Sequence, residues 1–159
     1  MLQNSTAPLK ILLADDDKDD RFLFGIALKK IPITVNLNTV ENGQKLMEYL
    51  LNSLDNLPDV LFLDLNMPLK NGNECLAEIK ANKKINQIPV VIYSTSLRDE
   101  IADILYHNGA HYYLQKTDLT SLSLPLEKVL TWVKQKNNAR PSRENFILNS
   151  NSNKYTNYF

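Results

Sequence analysis

The chain carries one cysteine, four glycines and no surplus of charge, with 18 Lys+Arg against 18 Asp+Glu. A single cysteine excludes an internal disulfide and fits a reducing compartment. Cys75 falls in a helical pattern, where it reads as a small hydrophobe. The balanced charge removes the global field that would draw the chain to nucleic acid or to an anionic membrane. No apolar run approaches the roughly 20 residues that a membrane span needs, and the opening MLQNSTAPLK has no apolar signal core. A cytoplasmic protein is expected. No Gly-rich loop follows the first apolar run, which argues against a Rossmann or flavin module.

What is present is a chain of 159 residues, 43% hydrophobic, enough for one domain with a core. Short apolar runs alternate with amphipathic stretches. Strands β1 to β5 are expected at 10–14, 34–40, 59–63, 90–93 and 111–115. Helices α1 to α5 are expected at 20–30, 41–54, 73–82, 98–109 and 123–135, with Gly109 as a C-cap and Pro125 in a first turn. The strands KILLA, DVLFL and VVIY are continuously apolar, as strands of a parallel sheet covered on both faces must be. TVNLNTV alternates, as an edge strand would. Residues 1–8 read as an extension, 9–136 as the folded domain, and 137–159 as a polar, flexible tail. That tail holds seven Asn, but Phe146-Ile147-Leu148 and Tyr155, Tyr158 and Phe159 are apolar enough to dock.

Polar groups follow the buried strands: Asp15 and Asp16 after the first, Asp64 after the third, Ser94, Thr95 and Ser96 after the fourth, Lys116 after the fifth. In a doubly wound sheet the carboxyl ends of the strands share one edge, where ligands bind. Clustered carboxylates repel unless a cation sits among them. An all-oxygen donor set with no His or Cys points to a hard cation, Mg²⁺ before Ca²⁺. Lys116 adds a point charge and Ser94 a donor, a set suited to a transferring phosphoryl group. No base-activated Ser or Cys is present, so the best nucleophile is a carboxylate and the product an acyl phosphate on Asp. Asp17, Asp19 and Asp20 read equally well as acids favoured at a helix N-terminus.

LLADDD, DVLFLDLNMPLKNG, IPVVIYSTS and GAHYYLQKT together resemble the receiver domain of bacterial two-component response regulators, over residues 8 to 136. The resemblance implies a flavodoxin-like doubly wound (βα)5 fold, a five-stranded parallel sheet of order 2-1-3-4-5. It makes Asp64 the phospho-acceptor, with Asp15, Asp16, Asp64 and the Asn66 backbone carbonyl holding Mg²⁺. Lys116 contacts the phosphoryl group, and Ser94 and Tyr113 are the switch residues. Asn66, Thr95 and Ser96 border the phosphoryl group. The style is similar to single-domain receivers that partner phytochrome-type histidine kinases. It implies a phosphorelay role with a sensor histidine kinase as donor. A downstream protein or phosphotransferase would read the α4-β5-α5 face, from about Leu97 to Lys134, and a homodimer could form through it. No direct nucleic-acid or membrane contact, no output domain and no enzyme activity beyond its own phosphorylation and dephosphorylation are expected. Thr117 stands where most of the family has Pro after the Lys.

Two rivals differ in class. Phosphatases of the haloacid-dehalogenase type need a second Asp two places after the nucleophile, where this chain has Asn66. A pseudo-receiver that only binds protein would not need every chemical position filled.

Overall fold

The computed structural model of the chain describes residues 7–96, 98–136 and 139–148. In chain order the elements are β1(Leu9–Ala14), α1(Lys18–Lys29), β2(Val35–Val40), α2(Gly43–Asn52), β3(Val60–Leu63), α3(Gly72–Ala81), β4(Val90–Ser94), α4(Asp99–His107), β5(Tyr112–Gln115) and α5(Leu119–Lys134). A 3₁₀ turn at Arg143–Asn145 and a strand β6(Ile147–Leu148) follow. The strands form one sheet of order β2-β1-β3-β4-β5-β6, every pairing parallel.

Strand alternation splits the core into two layers. Leu12, Leu61, Leu63, Ile92 and Tyr113 face a layer closed by α2, α3 and α4. Ile11, Leu13, Phe62, Val91, Tyr93 and Leu114 face a layer closed by α1 and α5. In the second layer Phe24 stands edge-on to Phe62 at 4.9 Å and to Tyr93 at 5.3 Å. β2 alternates half-buried Val35 and Leu37 with exposed Asn36 and Asn38, as its edge position requires.

Two expectations need correction. α5 begins at Leu119, not 123: Asp118 caps it by accepting from Ser121 N at 2.9 Å, so Pro125 lies inside the helix rather than in its first turn. The sheet has six strands, not five, and the sixth comes from the tail. Over 139–148 the chain straps the outside of α4 and β5 instead of hanging free. Tyr113 N donates to Phe146 O at 2.9 Å, and Ile147 and Leu148 pair with Tyr113 and Leu114. Phe146 is fully buried, edge-on to Tyr106 at 5.3 Å and to Tyr113 at 6.4 Å. Arg143 pairs with Asp103 at 2.6 Å, and Arg140 donates to the carbonyls of Tyr106 and Ala110 at the end of α4. Apolar burial and charge together thus anchor a segment whose composition reads as loose. Tyr155, Tyr158 and Phe159 lie outside the described residues.

Candidate functional site

Backbone register assembles the site. Asp15 N donates to Val40 O, Asp64 N to Ala14 O at 2.9 Å, and Lys116 N to Ser94 O at 2.8 Å. These bonds continue the β1–β2, β1–β3 and β4–β5 ladders one residue past their ends. Asp15, Asp64, Ser94 and Lys116 therefore meet at the carboxyl edge of the sheet. Asp15 and Ser94 are fully buried and Asp64 is 4% exposed, while Asp16 is exposed.

The loop after Asp64 is shaped by Gly72. A Cβ there would lie 2.3 Å from Asp64 O and 2.8 Å from Leu65 Cα, both backbone neighbours. Only glycine lets the first turn of α3 press against the acceptor residue this closely. Gly72 N then donates to Leu65 O, and Asn71 caps α3 by accepting from Glu74 N.

Oxygens from Asp15, Asp16 and Asp64 lie within 4.8 Å of one another. Against them stands the Lys116 ammonium, its side chain 9% exposed. It lies 2.8 Å from Asp15 Oδ2, 2.9 Å from Asp20 Oδ2 and 3.5 Å from Asp64 Oδ2. The face of the Tyr93 ring lies beneath it, 5.2 Å from Nζ. Burial alone would lower the Lys116 pKa; its bonds to Asp15 and Asp20 and the charge of Asp64 outweigh that and raise it. Asp64 is pushed up to about 6 by burial, with Lys116 opposing and Asp15 reinforcing. Three carboxylates meet this one ammonium and Asp16 stands beside them, which leaves negative charge uncompensated. The all-oxygen set, with Asp15 Oδ2 holding no partner but Lys116 among the described residues, fits a small divalent cation.

The remaining expected residues fall around this centre. The Asn66 backbone N–H faces Asp64 Oδ1 at 3.4 Å, and the Asn66 side chain is exposed. Thr95 and Ser96 are exposed at the rim, and Asn66 and Ser96 line a groove of about 570 Å³ between the β3–α3 loop and α4. Ser94 Oγ is buried with no partner of ordinary hydrogen-bond geometry among the described residues. Tyr113 is fully buried, and its hydroxyl donates to Ser96 O. The inward position of this ring is therefore already taken here, with Phe146 closing over it. The described peptide bonds are all trans, Lys116–Thr117 included.

Three more residues near the site take definite roles. Asp17 is a cap: its Oδ1 accepts from Asp19 N at 2.8 Å and Asp20 N at 3.2 Å. Arg21 donates to Asp15 O at 2.8 Å, tying α1 to the end of β1. Asp20 is the third carboxylate on Lys116, 96 residues away in the chain. Helical periodicity could show that Asp20 starts a helix, but not that it faces the end of β5.

The response regulator receiver domain family matches residues 11–123. Response regulator Rcp1 of Synechocystis sp. is 36% identical over 121 residues, 74% of this chain and 82% of Rcp1. The probable methanogenesis regulatory protein FilR2 of Methanothrix harundinacea is 30% identical over 112 residues, covering 69% and 72%. Among solved structures, the phosphorylated cyanobacterial phytochrome response regulator RcpA superposes with a TM-score of 0.73 at 33% identity, covering 86% of this chain and all of RcpA. The Mn²⁺-bound form of Rcp1 gives 0.70 at 31% identity, covering 85% and 100%. No helix among the described residues is long and apolar enough to cross a membrane. On this match and these relatives, the chain belongs to the response regulator receiver domain family.

Proposed function

We propose that this chain takes a phosphoryl group from the phosphohistidine of a sensor histidine kinase onto Asp64 and passes the change to a protein partner. The observation that carries the reading is the convergence of Asp64 with Asp15, Asp16 and Lys116 at one sheet edge. An Asp64 oxygen attacks phosphorus as the bond from phosphorus to the donor imidazole breaks. The imidazole keeps the electron pair and takes a proton from water. Lys116 Nζ turns toward the phosphoryl oxygens and offsets their charge. Mg²⁺ held by Asp15, Asp16, Asp64 and the Asn66 carbonyl would supply the rest of that compensation. The relationship to a Mn²⁺-bound Rcp1 supports a divalent ion in this place. The buried Ser94 hydroxyl is the donor that a new phosphoryl oxygen would draw.

Because Tyr113 is already inward, the readout is not a simple swing of that ring. Phosphorylation shifts the β4–α4 loop through Ser94 and Ser96, and Ser96 O holds the Tyr113 hydroxyl. Tyr113 in turn packs on Phe146, so the surface that changes is α4, β5 and the strap. A cytoplasmic protein that acts only on its own phosphorylation fits this role. The similarity to a phytochrome response regulator favours a phytochrome-type kinase as donor. Transfer from a panel of autophosphorylated histidine kinases tests the reading. Label should pass to wild type and not to Asp64→Asn. Failure with every kinase would favour a protein-binding module that is never phosphorylated.

A further inference from the structure

The site contains one carboxylate that neither the cation set nor the acceptor role uses. Asp20 stands in the first turn of α1 with its side chain 31% exposed. Its Oδ2 is as near to Lys116 Nζ as Asp15 is, 2.9 Å against 2.8 Å, and nearer than Asp64 at 3.5 Å. An ammonium has three protons to give. Asp15, Asp20 and Asp64 surround it, the bond to Asp20 being the one of ordinary hydrogen-bond geometry, and the Tyr93 ring closes the side beneath. A phosphoryl group arriving on Asp64 needs one of those protons. Asp15 belongs to the buried cation set, and its Oδ2 has no other partner among the described residues. Asp20 is the partner whose place water can fill, because it is the one that reaches solvent.

We propose that Asp20 is a positioning residue for Lys116, holding the ammonium toward α1 while Asp64 is unmodified and releasing it to the phosphoryl oxygens afterwards. Asp20 thereby sets the balance between the two states. This rests on Asp64 being the phosphoryl acceptor. Neutralising Asp20 removes the competitor without removing the ammonium, so the phosphorylated state gains.

Calorimetric binding of fluoroberyllate, a mimic of the acyl phosphate, at saturating Mg²⁺ tests this without turnover. Asp20→Asn should bind about two- to five-fold more tightly than wild type, the range of a partly exposed ion pair. Asp19→Asn removes the same charge one residue away, where the side chain makes no bond to Lys116, and should match wild type. Asp20→Glu can still reach the ammonium and should restore wild-type affinity. Thermal melts of all three keep folding separate from binding, and Asp20→Ser stands in if Asp20→Asn fails to fold. Unchanged or weaker binding by Asp20→Asn overturns the proposal and leaves the acceptor assignment standing. An equal gain in Asp19→Asn also overturns it, since the effect would be general charge. If wild type itself binds no fluoroberyllate, or binds it no better than Asp64→Asn, the acceptor assignment fails first.

Discussion

Replacing Phe146 by Ala tests whether the strap is part of the cooperative fold. The ring is fully buried between Tyr106 and Tyr113, with the Arg143 guanidinium 5.8 Å from its centroid. Removing a buried Phe side chain from a packed site costs about 3–5 kcal/mol. The strap is held to the sheet by a strand of two residues and can relax, so the lower end applies, about 3 kcal/mol. For a domain of this size each kcal/mol lowers Tm by about 2–4 °C, so the midpoint should drop by about 6–12 °C. Urea unfolding followed by far-UV circular dichroism gives the free energy directly. Trypsin gives an independent check. Arg143 is engaged by Asp103, so the bond after it should resist cleavage in wild type and be cut quickly in Phe146→Ala. A loss below about 1 kcal/mol with unchanged cleavage would refute the reasoning, since so small a cost is that of a surface site.

The glycines give a paired test. Gly72→Ala drives a methyl against the Asp64 and Leu65 backbone and should cost about 2–3 kcal/mol and abolish phosphoryl uptake, by urea melt and phosphate-affinity gel. Gly25→Ala, in α1 with only Leu37 Cδ2 at 3.9 Å, should instead stabilise by about 0.5–1 kcal/mol. His111 makes the protein acid-sensitive. Burial, with Lys80 and Arg140 adding, pushes it down to about 4, and its Nδ1 accepts from Val90 N, which only the neutral ring can do. Its folded pKa is below the unfolded value near 6.5, so its contribution is complete above that value and is lost as pH falls toward 4. The loss should reach at most about 3 kcal/mol at 1.36 kcal/mol for each pH unit. Urea unfolding of wild type and His111→Gln between pH 7 and 4.5 should show a steeper decline for wild type; parallel curves would contradict it.

The fold was legible where burial acts through composition. VLFL and VVIY are covered on both faces, so their apolar runs carry the whole signal of a central strand. The edge strand β2 was equally readable from its alternation. The start of α5 was not, because TDLTS looks like a loop until Asp118 is seen to cap it and Leu122 is seen to be buried. β6 was out of reach for a different reason. Two residues carry no periodicity, and Ile147 and Leu148 are a strand only because Tyr113 and Leu114 pair with them. The acidic residues divide in the same way. Asp15, Asp16 and Asp64 follow buried strands, so their convergence could be read from position alone. Asp17, Asp19 and Asp20 share one helix turn, and only the tertiary structure separates the cap from the exposed acid and from the partner of Lys116.

Intact mass after incubation with acetyl phosphate tests the central claim most directly. Wild type with Mg²⁺ should gain one phosphoryl group, and the adduct should vanish with a chelator and in Asp64→Asn. An adduct that persists in Asp64→Asn, or that forms equally well without a divalent ion, would contradict the assignment of Asp64 as a cation-dependent acceptor.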